Sequence, residues 1–270
     1  MQNSLIITIC LVIIAFGCNK KPHLVNPELL KNDWISSDGN EDLLMFQDSL
    51  MIESLTLGDF PISPYSISND TLIIYSQDFD YKKSSPTVER VIRYKIVKVD
   101  SLELLVRTAY PNFKDTLVFR RIAHVKKNDL KIEKLEFALN ATGGPSQDIK
   151  IDNDSVLYHY GYTSYSKYKG LTKCKLSSYQ FESIQSRINA INFDSINLSI
   201  PAPGGSRFYL FIKNGNDSIE IDGSIHNCSN YELTSLLIYI ASLEYFFNMK
   251  NAENEKIIFK DKRNLKLYKE

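Results

Sequence analysis

Apolar and polar positions alternate with a period of two along much of this chain, and the first stretch to break that rule is its start. Leu5 to Phe16 reads LIITICLVIIAF, in which Thr8 alone is polar. A helix of that length rises about 18 Å, short of the roughly 20 apolar residues that a bilayer core of about 30 Å demands. An apolar run of this kind near an N-terminus reads as the hydrophobic core of a secretion signal. Tyr231 to Phe247 is the next most apolar stretch, but it carries Glu232 and Glu244.

Short β-type runs dominate from Trp34 to Ile122. The pattern predicts strands over Asp42 to Gln47, Leu50 to Leu57, Asp70 to Ser76, Val88 to Val99, Leu102 to Arg107 and Thr116 to Ile122. Turn formers such as Ser37-Asp38-Gly39-Asn40 and Ser68-Asn69-Asp70 separate them. Alternation in Val91 to Val99 sets Val91, Arg93, Lys95, Val97 and Val99 on one face and Tyr94, Ile96 and Lys98 on the other. Regular short strands without a helical period indicate an antiparallel meander or small barrel.

The period changes after a polar, basic linker at 123–130. Leu135 to Leu139, Asp148 to Ile151, Ser155 to Tyr160 and Lys169 to Leu176 read as strands. Ser177 to Asn189 reads as a helix, opened by the capping box Ser177-x-x-Gln180 and striped by Phe181, Ile184 and Ile188. Arg207 to Lys213 and Ser218 to Asp222 form a hairpin through Asn214-Gly215-Asn216-Asp217. A second helix is predicted from the box Ser229-x-x-Glu232 to about Met249, with Leu233, Leu236, Leu237, Ile240 and Leu243 on its apolar face. The fold class is therefore β-rich with two domains: an antiparallel β-barrel or meander, then an α+β domain with two helices on an antiparallel sheet. The expected boundaries are signal peptide 1–17, tether 18–30, β domain 31–122, linker 123–130, α+β domain 131–249 and a charged C-terminal tail 250–270.

Composition narrows the partners. The chain has 32 basic and 32 acidic residues, and residues 1–17 contain none of either. A neutral balance with scattered basic residues argues against nucleic acid, whose phosphates require a basic surface. Of four cysteines, Cys10 lies in the signal, and Cys18 follows its small residues. Cys174 and Cys228 remain, and one bridge between them is possible in an oxidising compartment, although spacing alone does not bring them within reach.

Three resemblances add to this reading. Ala15-Phe16-Gly17-Cys18 resembles a lipobox, which implies diacylglycerol on the Cys18 sulfur, cleavage before it and acylation of the new amino group. Several acyl chains give stable anchoring where one is marginal. The residues after Cys18 are Asn19-Lys20-Lys21, with no acid before Glu28. Acidic residues at that point direct surface export in some Gram-negative groups, so the expected location is the outer membrane, facing the periplasm. The stretch with Trp34, Tyr65 to Leu72 and Thr116-Leu117-Val118-Phe119 resembles lipocalin-like lipoprotein domains. Residues 131–249 are similar to a bacterial α+β domain family of unassigned function, through the Thr142-Gly143-Gly144-Pro145 turn, the Tyr160-Gly161 strand end and the helix–hairpin–helix order. Members often carry a cysteine pair around that turn, and this chain has none there.

Candidate chemistry is sparse. His159 sits within Tyr158-His159-Tyr160-Gly161-Tyr162, with Tyr165 close behind. The functional reading is an aromatic platform for a glycan or peptide, and the plainer one is a strand of alternating half-buried tyrosines running into a loop. His226 and Cys228 could offer metal ligands or a Cys–His pair. However, a structural zinc needs four clustered ligands and a nucleophile needs an orienting third group. The glycine-rich runs at 142–146 and 201–206 lack phosphate-binding spacing, and no calcium-loop pattern is present. No cofactor or metal is expected. The sequence favours a non-enzymatic binding or assembly module on the membrane, with an envelope protein or glycan as partner. A carrier of a small apolar ligand and an envelope enzyme are the alternatives, and Arg93 and Lys95 beside Val91 sit poorly with an empty apolar barrel.

Overall fold

The structure is a computed structural model and describes residues 25–37, 43–47, 49–54, 62–80, 85–108, 116–140, 146–163, 166–196, 207–224 and 230–260. A single-turn helix, α1 (Pro27–Leu30), is capped by the Asn26 side chain and leads into the first strand. Eight antiparallel strands follow: β1 (Asp33–Ser36), β2 (Leu43–Gln47), β3 (Leu50–Ser54), β4 (Ile62–Ser68), β5 (Thr71–Asp80), β6 (Ser85–Val99), β7 (Glu103–Thr108) and β8 (Thr116–Arg121). Each pairs with the next, and β8 returns to β1, so the sheet closes into a barrel. Closure removes the exposed edges that an open meander would present.

Alternation sorts these strands into an inner and an outer face. Trp34, Leu44, Phe46, Met51, Leu72, Ile74, Leu104, Val106 and Phe119 form one buried cluster inside the barrel. Leu30 of α1 joins it, fully buried, and the Trp34 Nε1–H donates to the Leu30 carbonyl at 3.2 Å. Trp34, Phe46, Met51, Leu72 and Leu104 are among the largest fully buried side chains of the protein. The described interior is thus filled by side chains, as small eight-stranded barrels allow. The expected grouping of Val99 with Arg93 and Lys95 on one face is corrected. Both are exposed, Ile92, Tyr94 and Ile96 face the core, and an irregularity between Ile96 and Lys98 turns Val99 inward.

The second sheet has seven antiparallel strands: β9 (Lys134–Asn140), β10 (Ser146–Asp152), β11 (Val156–Gly161), β12 (Gly170–Lys175), β13 (Arg207–Asn214), β14 (Asp217–Ser224) and β15 (Lys250–Asn251). Their order is β14-β13-β9-β10-β11-β12-β15. The predicted hairpin turn lies between β13 and β14, with Gly215 at positive φ (59°). Two longer helices, α2 (Ser178–Ala190) and α3 (Tyr231–Ala241), and the short α4 (Leu243–Phe246) complete the fold. Ser177 and Gln180 make both bonds of the predicted capping box on α2. At α3 the observed cap is Asn230, whose side chain accepts from the Leu233 N–H, and the helix stops at Ala241 instead of reaching Met249.

Three contacts show how these parts are joined. Ile35, Leu43, Met45 and Ile52 on the outer barrel wall belong to the same apolar cluster as Ile184, Ile188, Leu236 and Ile240 of the helices and Phe137, Ile149 and Leu210 of the second sheet. The barrel and the α+β unit therefore share a core. The 123–130 linker is tied down as well, with Lys127 and Asn128 donating backbone N–H bonds to the Asn189 carbonyl at 2.6 and 3.0 Å. Finally, residues 250–260 of the charged C-terminal segment lie against the fold. They pair β15 with β12 and then cross the outer face of the second sheet. Among the described residues, no helix is long and apolar enough to cross a membrane.

A candidate binding groove on the outer sheet face

Register decides which way the tyrosine-rich strand points. In β11, His159 pairs opposite Ile149 and Thr172, while Tyr160 pairs opposite Asp148 and Leu171. Successive residues face opposite sides of the sheet, so His159 turns toward the helices and Tyr158 and Tyr160 turn away from them. The Tyr160 and Tyr162 rings lie 4.7 Å apart at 45°. The Tyr162 hydroxyl donates to Asp148 Oδ2 at 2.6 Å. Tyr165 lies outside the described residues.

The C-terminal segment builds the opposite wall. The Ala252 N–H donates to the Leu171 carbonyl at 2.9 Å, and Phe259 packs with Leu171, Tyr158 and Tyr160. Lys260 anchors the far end, its Nζ 2.5 Å from Glu220 and 3.9 Å from the Phe211 ring centre, with its backbone N–H on the buried Glu136 carboxylate. Between this strap and β11–β12 runs a groove of about 610 Å³, lined by Tyr160, Tyr162, Leu171, Glu253, Ile257 and Ile258 among others. Glu255 also lines it and is ion-paired with Lys173. Burial and then the Glu255 charge push the Tyr158 hydroxyl above the ordinary tyrosine value.

Two glycines permit this geometry. A Cβ on Gly161 would fall 2.1 Å from the Tyr168 carbonyl and 2.7 Å from the Ser166 Cβ, so only glycine lets residues 166–168 lie this close to β11. Gly170 has φ +75° and faces the Glu253 carboxylate, whose Oε1 would be 3.0 Å from an added Cβ.

On the other side of the sheet His159 is wholly buried in a polar network. Its Nε2–H donates to Gln147 Oε1 at 2.9 Å, and Gln147 in turn donates to the Ala241 carbonyl at 2.8 Å. The Thr172 hydroxyl stands 3.4 Å from the other ring nitrogen, Nδ1. Glu244 Oε2 is 3.4 Å from His159 Nε2, and it accepts the Tyr168 backbone N–H at 3.3 Å. Burial lowers His159 to about 4 and raises Glu244 to about 7. The pair meets in the core with no exposed surface on either side chain, so it touches no substrate from solution.

A second polar cluster fastens the barrel to the helices. Asp33 at the start of β1 points out of the barrel and forms a bidentate pair with Arg187 of α2. The Ser235 hydroxyl and His124 Nε2 also meet Asp33 Oδ2, at 2.5 and 2.7 Å. Burial alone raises the Asp33 carboxyl, but the Arg187 charge and the bonds from His124 and Arg187 overcome it and hold it well below the usual carboxylate range. The Arg187 guanidinium stacks 4.3 Å over the Tyr239 ring. A smaller cleft of about 270 Å³ opens beside His124, Tyr179 and Arg187, but Arg187 and His124 are already engaged by Asp33.

Cys174 lies near the end of β12, half-buried against the main core, and burial pushes its thiol up to about 11. Cys18, His226 and Cys228 lie outside the described residues. Among the described residues no three His, Cys, Asp or Glu side chains gather as a metal-ligand set.

Sequence reasoning found the tyrosines and missed their opposing wall. Glu253, Glu255, Ile257 and Phe259 were assigned to a charged tail, although Ile257-Ile258-Phe259 is an apolar triplet amid polar neighbours and was the available signal. The Asp33–Arg187 pair left no local trace, because its members are 154 positions apart. No protein-family model matches the chain, and a search of curated proteins finds no match either.

Proposed function

We propose that this protein is a lipid-anchored envelope lipoprotein that acts as a non-enzymatic binding or assembly module, and that the groove between β11–β12 and residues 252–260 is its binding surface. The observation that carries the reading is the groove itself. It joins two closely packed tyrosine rings to aliphatic walls and a carboxylate, and it is open to solvent at Ile258, which is 74% exposed. Aromatic, amphipathic surfaces of this composition suit recognition. His159, one of the residues weighed for catalysis, is sealed in the core beside Glu244. The carrier reading is weaker, because Trp34, Phe46, Met51, Leu72 and Leu104 occupy the barrel interior.

A photo-crosslinking side chain placed at Ile258 in the full-length protein, in its own envelope, tests the surface. The expected result is a discrete adduct to one envelope protein or glycan from Ile258 and none from Val125, which is also exposed. Equal adducts from both positions, or none from Ile258, would overturn the assignment. The anchor rests on Ala15-Phe16-Gly17-Cys18. Labelled fatty acid should enter the parent protein and not Cys18→Ala, and a variant that still takes up label or resists a high-salt wash from membranes defeats that part. Destruction by protease on intact cells would overturn the periplasmic placement.

A further inference from the structure

The groove's chemistry reaches further than an undefined partner, and this step rests on the reading of that groove as a binding surface. We infer that it takes a polypeptide segment that sets a basic residue beside aliphatic ones, with Glu253 reading the basic side chain.

Three features select that class. The first is charge. Glu255 is already neutralised by Lys173, whereas Glu253 is exposed and makes no ion pair among the described residues. Its carboxylate lies against Gly170, the position where any Cβ would crowd it. The second is the pair of tyrosine rings at 4.7 Å in the same groove. An aromatic face attracts a cation through its quadrupole, and a neighbouring carboxylate reinforces the attraction. The third is the remaining lining. Leu171, Ile257 and Ile258 offer aliphatic surface and no hydrogen-bond partner. An aliphatic side chain next to a Lys or Arg gains from the same walls, because removing apolar surface from water is favourable.

The test is a fluorescence titration of the full-length protein in detergent with three probes: a labelled peptide of alternating Lys and Leu, its Glu–Leu counterpart, and a chitin tetrasaccharide. Saturable binding of the Lys–Leu peptide alone is expected. Glu253→Gln should weaken it by about threefold to tenfold, in line with a partly exposed charge contact beside aromatic rings, and Glu253→Lys should weaken it further. Circular dichroism of both variants should match the parent, because Glu253 is a surface residue. Lys–Leu binding that Glu253→Gln and Glu253→Lys leave unchanged, or equal binding of the Glu–Leu peptide, overturns the inference. Tetrasaccharide binding lost on Ile258→Glu would also overturn the polypeptide class, while leaving the groove standing as a binding surface. Failure of all three probes, together with no adduct from Ile258, removes the binding surface as well.

Discussion

His159 and Glu244 are moved by burial in opposite directions, and the pH dependence of stability follows from both. The carboxyl rises from 4.5 to about 7, and the imidazole falls from 6.5 to about 4. Between pH 4.5 and 6.5 the unfolded chain carries a proton on the histidine, and the native protein carries one on the glutamate. The proton counts balance, so the pair contributes no slope in that window. Glu244→Gln leaves the histidine alone, and stability should then rise as pH increases from about 4 to 6.5. His159→Asn leaves the glutamate alone, and stability should fall between pH 4.5 and about 7. Urea unfolding midpoints at pH 4.5 and 6.5 should therefore shift in opposite senses for the two variants, and parallel shifts would refute the account. The alternation in Tyr158-His159-Tyr160 made the opposed faces of this strand legible. The partners on the inner side, Gln147 and Glu244, were not, because a buried polar network is assembled by topology and carries no spacing of its own.

At the scale of elements, local signals read well and long-range ones did not. The α2 capping box is contained within Ser177 to Gln180 and was visible at once. The start of α3 was displaced by one residue, because Ser229-x-x-Glu232 and Asn230-x-x-Leu233 both offer a capping side chain in adjacent registers. The structure selects Asn230, whose Oδ1 lies 2.8 Å from the Leu233 nitrogen. Asn230→Ala should accordingly cost about 1 kcal/mol in chemical unfolding, and an unchanged midpoint would return the cap to Ser229. The path of residues 252–260 was not legible for a related reason. Their exposed positions carry the charge, while Ala252 and Phe259 reach the sheet at an irregular spacing that matches neither a helix nor a strand.

For the whole molecule, the decisive feature is the joint between the barrel and the helices. Apolar residues of the outer barrel wall, notably Leu43, Met45 and Ile52, complete a core that also holds Ile184, Ile188 and Leu236. Apolar residues stand on both faces of β2 and β3, but nothing in that local pattern says that the outward face is covered. Arg187→Met strands the buried Asp33 charge and should cost about 3–5 kcal/mol, whereas the double variant with Asp33→Leu should lose far less than the sum of the singles. Additive losses in that cycle would mean that the pair is not coupled.

The position of Asp33 has a mechanical consequence. On the proposed anchor, any pull from the membrane enters the fold through α1 and the first residue of β1. A strand drawn from one end peels away one backbone bond at a time, which is the weakest way to load a sheet. Within β1 the load meets Asp33 before any other residue of the strand, and the Arg187 fork would pass it sideways into α2 before β1 can part from β2 and β8. On that anchor the buried ion pair would act as a strain relief, spreading tension over the shared core and away from a single seam of the barrel.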